Sequence, residues 1–149
     1  LLGELLWAIS RGTIYGGIFA VVVAGFGLVS PLDVMILFPI VVLTAWLFAA
    51  IGLLFTSIIK VIDLYSFYYT LWLTPLFLFS GIFFPISRLP EWVQPFAWAT
   101  PLFHCVSLAS DTVRGTWSLM SLGHFAYIVV AAVLCSVVAI TRMRARTYR

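Results

Sequence analysis

SGIFFPISRLPEWVQPFAWATPLFH, residues Ser80–His104, is the stretch whose reading decides the fold. It continues a long apolar run without a break, carries Pro85, Pro90, Pro95 and Pro101 among its aromatics, and leads back into apolar sequence. Loops between membrane spans are usually short and polar, and this one is neither. A segment this apolar that cannot form one straight helix predicts a chain that dips into the bilayer and returns. Such backbone is tolerated at membrane depth only where protein or a water-filled cavity covers it. The function is therefore expected near the dip.

Working outward, the whole chain is 64% hydrophobic and 9% charged. Soluble domains are about 45–50% apolar and about 25% charged, so this is an integral membrane protein. Its charges divide the apolar sequence into blocks of 21 residues (12–32), 26 (34–59), 24 (64–87) and 27 (115–141). Each reaches the roughly 20 residues that a helix needs to cross the hydrocarbon core. The blocks are apolar on every face rather than alternating, which excludes strands and predicts an all-α fold.

A further uncharged block, Trp92–Ser110, tests the count. If it does not cross and the chain begins in the cytoplasm, Arg11, Lys60, Arg142, Arg144, Arg146 and Arg149 are inside and only Arg88 and Arg114 outside. If it crosses, three basic residues are inside and five outside. The positive-inside bias selects the first arrangement. Pro95 and Pro101 also cut the block, since an internal proline costs a helix about 3 kcal/mol. The block reads as a re-entrant or interfacial hairpin on the outer side.

The expected layout is a polytopic helical protein with four transmembrane helices in this fragment plus an extracytoplasmic re-entrant helical hairpin. Residues 1–12 are a cytoplasmic amphipathic lead-in, and 13–141 the transmembrane domain. Its spans are about 13–29, 34–58 (capped by Asp33), 64–83 and 120–141, with the outer region at 84–119. A cytoplasmic turn holds Lys60 and Asp63, and residues 142–149 form a basic cytoplasmic tail. Trp92, Phe96, Trp98, Phe103 and Trp117 suit an interface belt. Small residues recur at helical spacing (Gly16, Ala20, Ala24; Ala131, Cys135, Ala139), as close helix packing requires. The chain starts at Leu1 without a charged n-region and cleavage site, so it reads as the later part of a longer protein.

Chemistry is sought by elimination. The single lysine, Lys60, follows Ile59, so the GxxxxGK[ST] phosphate loop is missing and any ATP-driven work must come from another chain or domain. No HExxH, paired-carboxylate or His/Cys metal pattern occurs. Cys105 and Cys135 read as small packing residues, not a disulfide. No ionisable group sits mid-span, which argues against a proton- or ion-coupled pump. Asp111 and Arg114 are three apart and spaced to pair on one helical turn. The net charge of +3 comes with four tail arginines beside a span, a stop signal and lipid attraction rather than nucleic-acid binding. The enzyme alternative is Ser80-Gly81 with His124, similar to the GxSG arrangement of intramembrane serine proteases, but Leu78 stands at its first position. His124 reads instead as a capping or packing residue.

With these residues in view, LFLFSGIFFPISRLPEW, then ATPLFHCVSLASDTVRG and a final span, resemble the permease subunits of ABC type-2 exporters. The likeness is closest to the branch exporting lipo-oligosaccharides (nodulation factors), with daunorubicin-type drug exporters as near relatives, and GELLWAISRGTIYG fits the same branch. The resemblance covers the chain as the last four of six spans. It implies that Gly81, Phe84 and Pro85 break the third span and open the hairpin. Pro90, Trp92 and Pro95 would belong to its short helices, and Pro101 to His104 to the start of the next helix, the whole forming an outer gate. It further implies that Glu4 and Arg11 lie near a coupling contact with a separate ABC ATPase subunit. The permease would work as a homodimer in lipid, in the bacterial plasma membrane with both fragment ends cytoplasmic, without a cofactor. Relatives carry an apolar helix ending in leucine-arginine where this chain has SLASDTVRG, so no substrate role carries over to Asp111 or Arg114. A lipid-linked oligosaccharide is the expected substrate and a hydrophobic drug the alternative. A membrane enzyme would need a reactive Ser80 or His104, and a non-transporting scaffold would need no ATPase.

Overall fold

The computed structural model describes residues 2–59, 63–82, 86–88 and 90–147. Helix α1 (Leu2–Gly25) is unbroken from the expected lead-in through the expected first span. It stops where Gly27 takes a left-handed φ of +71°. The amides of Gly27 and Leu28 there reach back to the Ala24 and Val23 carbonyls, which closes the free end of the helix. Helix α2 (Pro31–Ile58) starts on a reciprocal cap: Ser30 Oγ accepts from the Leu32 amide, and the Ser30 amide donates to Asp33 Oδ2 at 3.2 Å. Pro31 takes a first-turn position, where its missing N–H costs nothing.

The expected third span takes a different form. Helix α3 (Leu64–Phe67), a π-helical segment (Tyr68–Leu73) and helix α4 (Thr74–Leu78) follow one another directly. The wide register has a local cause. Pro75 has no amide to give to the turn before it, and Thr74 Oγ1 reaches five residues back to the Tyr69 carbonyl. At 1.5 Å per residue this run is about 22 Å long, short of the roughly 30 Å hydrocarbon core. Among the described residues, α1, α2 and the last helix, α7 (Leu119–Thr147), are the helices long and apolar enough to cross a membrane.

A 3₁₀ turn (Ile86–Arg88) precedes α5 (Gln94–Ala99) and α6 (Pro101–Arg114). Pro95 and Pro101 each sit in the first turn of a helix. Thr100, between the two helices, is extended (φ −79°, ψ 131°), as the residue before a proline prefers. Gly115, at φ +67°, ends α6, and α7 (Leu119–Thr147) closes the fold.

The core lies where α2, α6 and α7 meet: Ile40, Leu47 and Ile51 against Cys105, Leu108, Ile128 and Ala132. Trp46 Nε1–H donates to Ser136 Oγ across the α2–α7 contact at 3.2 Å. Helix α1 packs on α2 through its small residues, so closely that a Cβ on Gly16 would lie 2.6 Å from Val41 Cγ1 and one on Gly12 2.9 Å from Ala45 Cβ. Of α1's residues only Leu5 is buried. A helix this apolar and this uncovered belongs in lipid, where packing rather than water exclusion holds helices together. The protein is a multi-pass, all-α membrane protein.

Candidate functional site

The proline-rich stretch folds as a compact corner whose two sides differ in character. Gly81 turns the chain after α4 with φ +82°, a conformation that favours glycine. The Pro90 carbonyl accepts the Val93 amide at 2.9 Å and makes the turn into α5. Phe84 and Pro85, expected in the same gate, lie outside the described residues, as does Lys60 of the expected cytoplasmic turn.

On one side, α5 and the start of α6 face the π-helical segment and α4 across a cleft of about 500 Å³. Trp92, Phe96 and Pro101 form one wall, and Trp72, Leu76 and Phe79 the other. Trp92 is 73% exposed, so this wall is open to the surroundings. The structure thus brings Trp92 and Pro101 to one cavity. Gly81 lies on a second, smaller cleft of about 250 Å³ with Ser107, Ser110, Asp111 and Arg114 on α6. A third cleft, about 460 Å³ and apolar, runs between α1, α2 and α6 past Gly16, Phe19, Leu37 and Val41.

His104 belongs to neither side: it is buried behind the corner, against α7. Its Nε2 lies 2.8 Å from the Trp98 carbonyl and its Nδ1 2.7 Å from Nδ1 of His124. A carbonyl only accepts, so Nε2 of His104 carries the proton and donates. Neutral His104 then offers a lone pair at Nδ1, and His124 must donate its own Nδ1–H there. Both tautomers follow from that one carbonyl. Aromatic rings surround the pair: Tyr127 stacks on His104 at 3.9 Å, and Trp98 and Phe103 stand 5.6 and 5.7 Å from His124. Burial holds the His104 imidazole below the usual histidine range; the bond to Trp98 opposes this and the neighbouring His124 adds to it. Burial also pushes the Cys105 thiol up to about 11, so it is an inert packing group.

Ser80 is buried and donates its hydroxyl to the Phe77 carbonyl at 2.7 Å. With His124 bonded to His104, the serine-protease arrangement is not assembled. Asp111 does not join Arg114 despite their spacing: its Oδ2 accepts Ser121 Oγ–H of α7 at 2.6 Å, and among the described residues the two make no ion pair. That bond and the one from Tyr127 to the Ala99 carbonyl (2.9 Å) were not legible in the sequence. They join positions 10 and 28 residues apart, for which no periodicity gives a signal. Glu4 and Arg11 both lie on α1, where Arg11 rests 5.9 Å from the Tyr15 ring centre. Asp63 stands at the start of the α3 run, where its carbonyl accepts from Ser66. Among the described residues no group of three His, Cys, Asp or Glu side chains is placed to hold a metal.

Residues 1–113 match the family described as ABC-2 type transporter. The chain is 32% identical over 149 residues to Nodulation protein J of Bradyrhizobium diazoefficiens, covering all of the chain and 57% of that protein. It is 36% identical over 108 residues to Nodulation protein J of Sinorhizobium fredii (72% of the chain, 41% of the relative). Over 115 residues it is 33% identical to Nodulation protein J of Rhizobium leguminosarum bv. trifolii (77% and 44%). The chain spans about half the length of these curated relatives. No solved structure matches it.

Proposed function

The chain belongs to the ABC-2 type transporter family, and on that premise we propose that it is the membrane core of an ATP-driven exporter permease that moves an amphiphile outward across a bacterial plasma membrane. The substrate is a lipo-oligosaccharide or a related lipid-linked polysaccharide. A separate ABC ATPase supplies the energy, and two permease subunits form the path. The N-terminal turns of α1, with Glu4 and Arg11, lie beside the ATPase, and Lys60 and Asp63 occupy the turn on the same side. Because α1 is one unbroken helix, displacement of its first turns carries through to Gly16, where it grips α2. The corner from Gly81 through Phe84, Pro85, Pro90, Trp92, Pro95 and Pro101 to His104 is the outer re-entrant gate, and the basic tail stays in the cytoplasm.

The observation that carries this reading is the open apolar cleft between Trp92, Phe96 and Pro101 and the α3–α4 run. Its size lies in the range of ligand pockets, about 300–1,000 Å³. Its walls suit an alkyl chain or a hydrophobic ring system. The same lining favours a second reading, efflux of a hydrophobic drug, whose test is the competing substrate.

The experiment is co-purification of the full-length protein with its candidate ATPase, followed by ATP hydrolysis in lipid, with a Glu4→Lys, Arg11→Glu variant alongside. A stable complex whose hydrolysis changes in the variant is the expected result. Failure to associate with any ABC ATPase overturns the exporter reading. Stimulation by drugs but not by lipo-oligosaccharide selects the second substrate class.

A further inference from the structure

His104 and His124 are the two histidines of the chain, and the fold joins them although 20 residues separate them. We infer that together they form one proton-binding site, shared between α6 and α7, which takes up a single proton without parting and is broken by a second.

The inference follows from counting donors and acceptors. In the neutral pair, His104 donates from Nε2 to Trp98 and accepts at Nδ1 from His124. The remaining ring nitrogen, Nε2 of His124, has no hydrogen-bond partner among the described residues. A first proton adds there and breaks nothing: His124 becomes the imidazolium and still donates Nδ1–H to His104. Trp98 and Phe103 then stand within about 6 Å of a cation, near enough for their ring faces to attract it. The two Nδ1 atoms are chemically alike and 2.7 Å apart, so the shared proton passes between them and the charge belongs to both rings. A second proton would leave an N–H on each Nδ1, two donors facing each other with no acceptor. The doubly charged pair must separate.

Among the described residues neither ring is bonded to a carboxylate. On α6 the nearest titratable neighbour is Cys105, on α7 it is Tyr127, and α5 contributes the Trp98 ring and carbonyl. Both the thiol and the phenol stay neutral in the range where histidines titrate. Asp111 and Arg114 lie about two and three turns further along α6, and Asp111 is bonded to Ser121. The site therefore ties the α5–α6 corner to α7 in two charge states and releases it in the third. It does not depend on the identity of the transported molecule.

The test is ¹⁵N-imidazole NMR of the full-length protein, labelled on histidine and held in lipid nanodiscs, titrated from about pH 8 to about pH 4 around the ordinary histidine value. Resonances are assigned with single variants at the two positions. One uptake step reported by both rings together, with a scalar coupling across Nδ1···Nδ1 that survives it, is the expected result. Two independent rings, each reaching the full cation, overturn the inference. So does a pair that takes no proton at all while the protein stays folded. His124→Gln offers an amide N–H to His104 but no basic nitrogen, and the shared uptake step should vanish. If that variant does not fold, the wild-type titration decides alone.

Discussion

The α1–α2 pair and the corner where α5, α6 and α7 meet are held by opposite means. Helix α1 presses Gly12 and Gly16 onto Ala45 and Val41 of α2, and Thr13 Oγ1 beside that contact is the buried side-chain polar atom left unpaired among the described residues. The corner is pinned by directional bonds: His104 to His124 and to Trp98, Tyr127 to Ala99, and Ser121 to Asp111. The α1–α2 contact depends on the missing Cβ atoms at Gly12 and Gly16, and any side chain placed there must push the two helices apart. The corner depends on directed bonds, whose geometry fails within about half an ångström.

Three substitutions, the first with a control, break or sharpen this contrast, in falling order of effect. Gly16→Leu should cost about 3 kcal/mol, the upper end for overpacking, read as a lowered midpoint of thermal unfolding in detergent. Gly17→Ala is its control: a Cβ there meets only the Phe38 ring at 3.9 Å, so the change should be neutral or stabilising. If both variants behave alike, the close approach of α1 and α2 is wrong.

His104→Phe should cost about 2 kcal/mol, because the Trp98 carbonyl and the His124 N–H lose their partner inside the protein. It should also alter the response to acid. The folded protein holds His104 below its usual value, so below about pH 6.5 the unfolded chain binds a proton that the native state resists. Stability from this group is complete above that pH and is lost as pH falls through the folded value. The variant should therefore show a flatter profile of unfolding midpoint against pH. An equally steep profile would assign the acid sensitivity to other groups.

Trp46→Phe, which removes one bond inside the α2–α7 core, should cost least. Hydrogen bonds between membrane helices average about 0.6 kcal/mol. A loss as large as that of His104→Phe would erase the distinction between packed and pinned regions.

The sequence carried the class and the punctuation of this fold, and less of its joints. Uncharged blocks marked α1, α2 and α7, because the bilayer demands length and apolarity that no other setting does. Asp33 and Gly81 were legible because a cap and a left-handed turn are local events. The third block shows what hydropathy leaves out: it counts residues, and gives no sign of the π register around Pro75 that divides this run into α3, a π-helical segment and α4. Asp111 and Arg114 showed the limit of local spacing. Their separation permits a pair, but Ser121 on the next helix offers a bond at 2.6 Å that only the tertiary fold creates. His104 and His124 were each singled out, yet nothing in their positions announced that they touch.

The π-helical segment Tyr68–Leu73 has a consequence for phase. One residue more than an α-helical ladder needs turns everything after it by about 100° around the axis. Side chains on α4 are thereby aimed by a miscount and not by the periodicity of the stretch before it. Trp72, Leu76 and Phe79, one wall of the cleft, stand four and three residues apart and so share one face, and the π-helical register turns that face relative to Leu64–Phe67. A chain that resumed α register through Tyr68–Leu73 would swing that wall away from Trp92 and Phe96 with no change of sequence, as a key withdraws when its barrel turns.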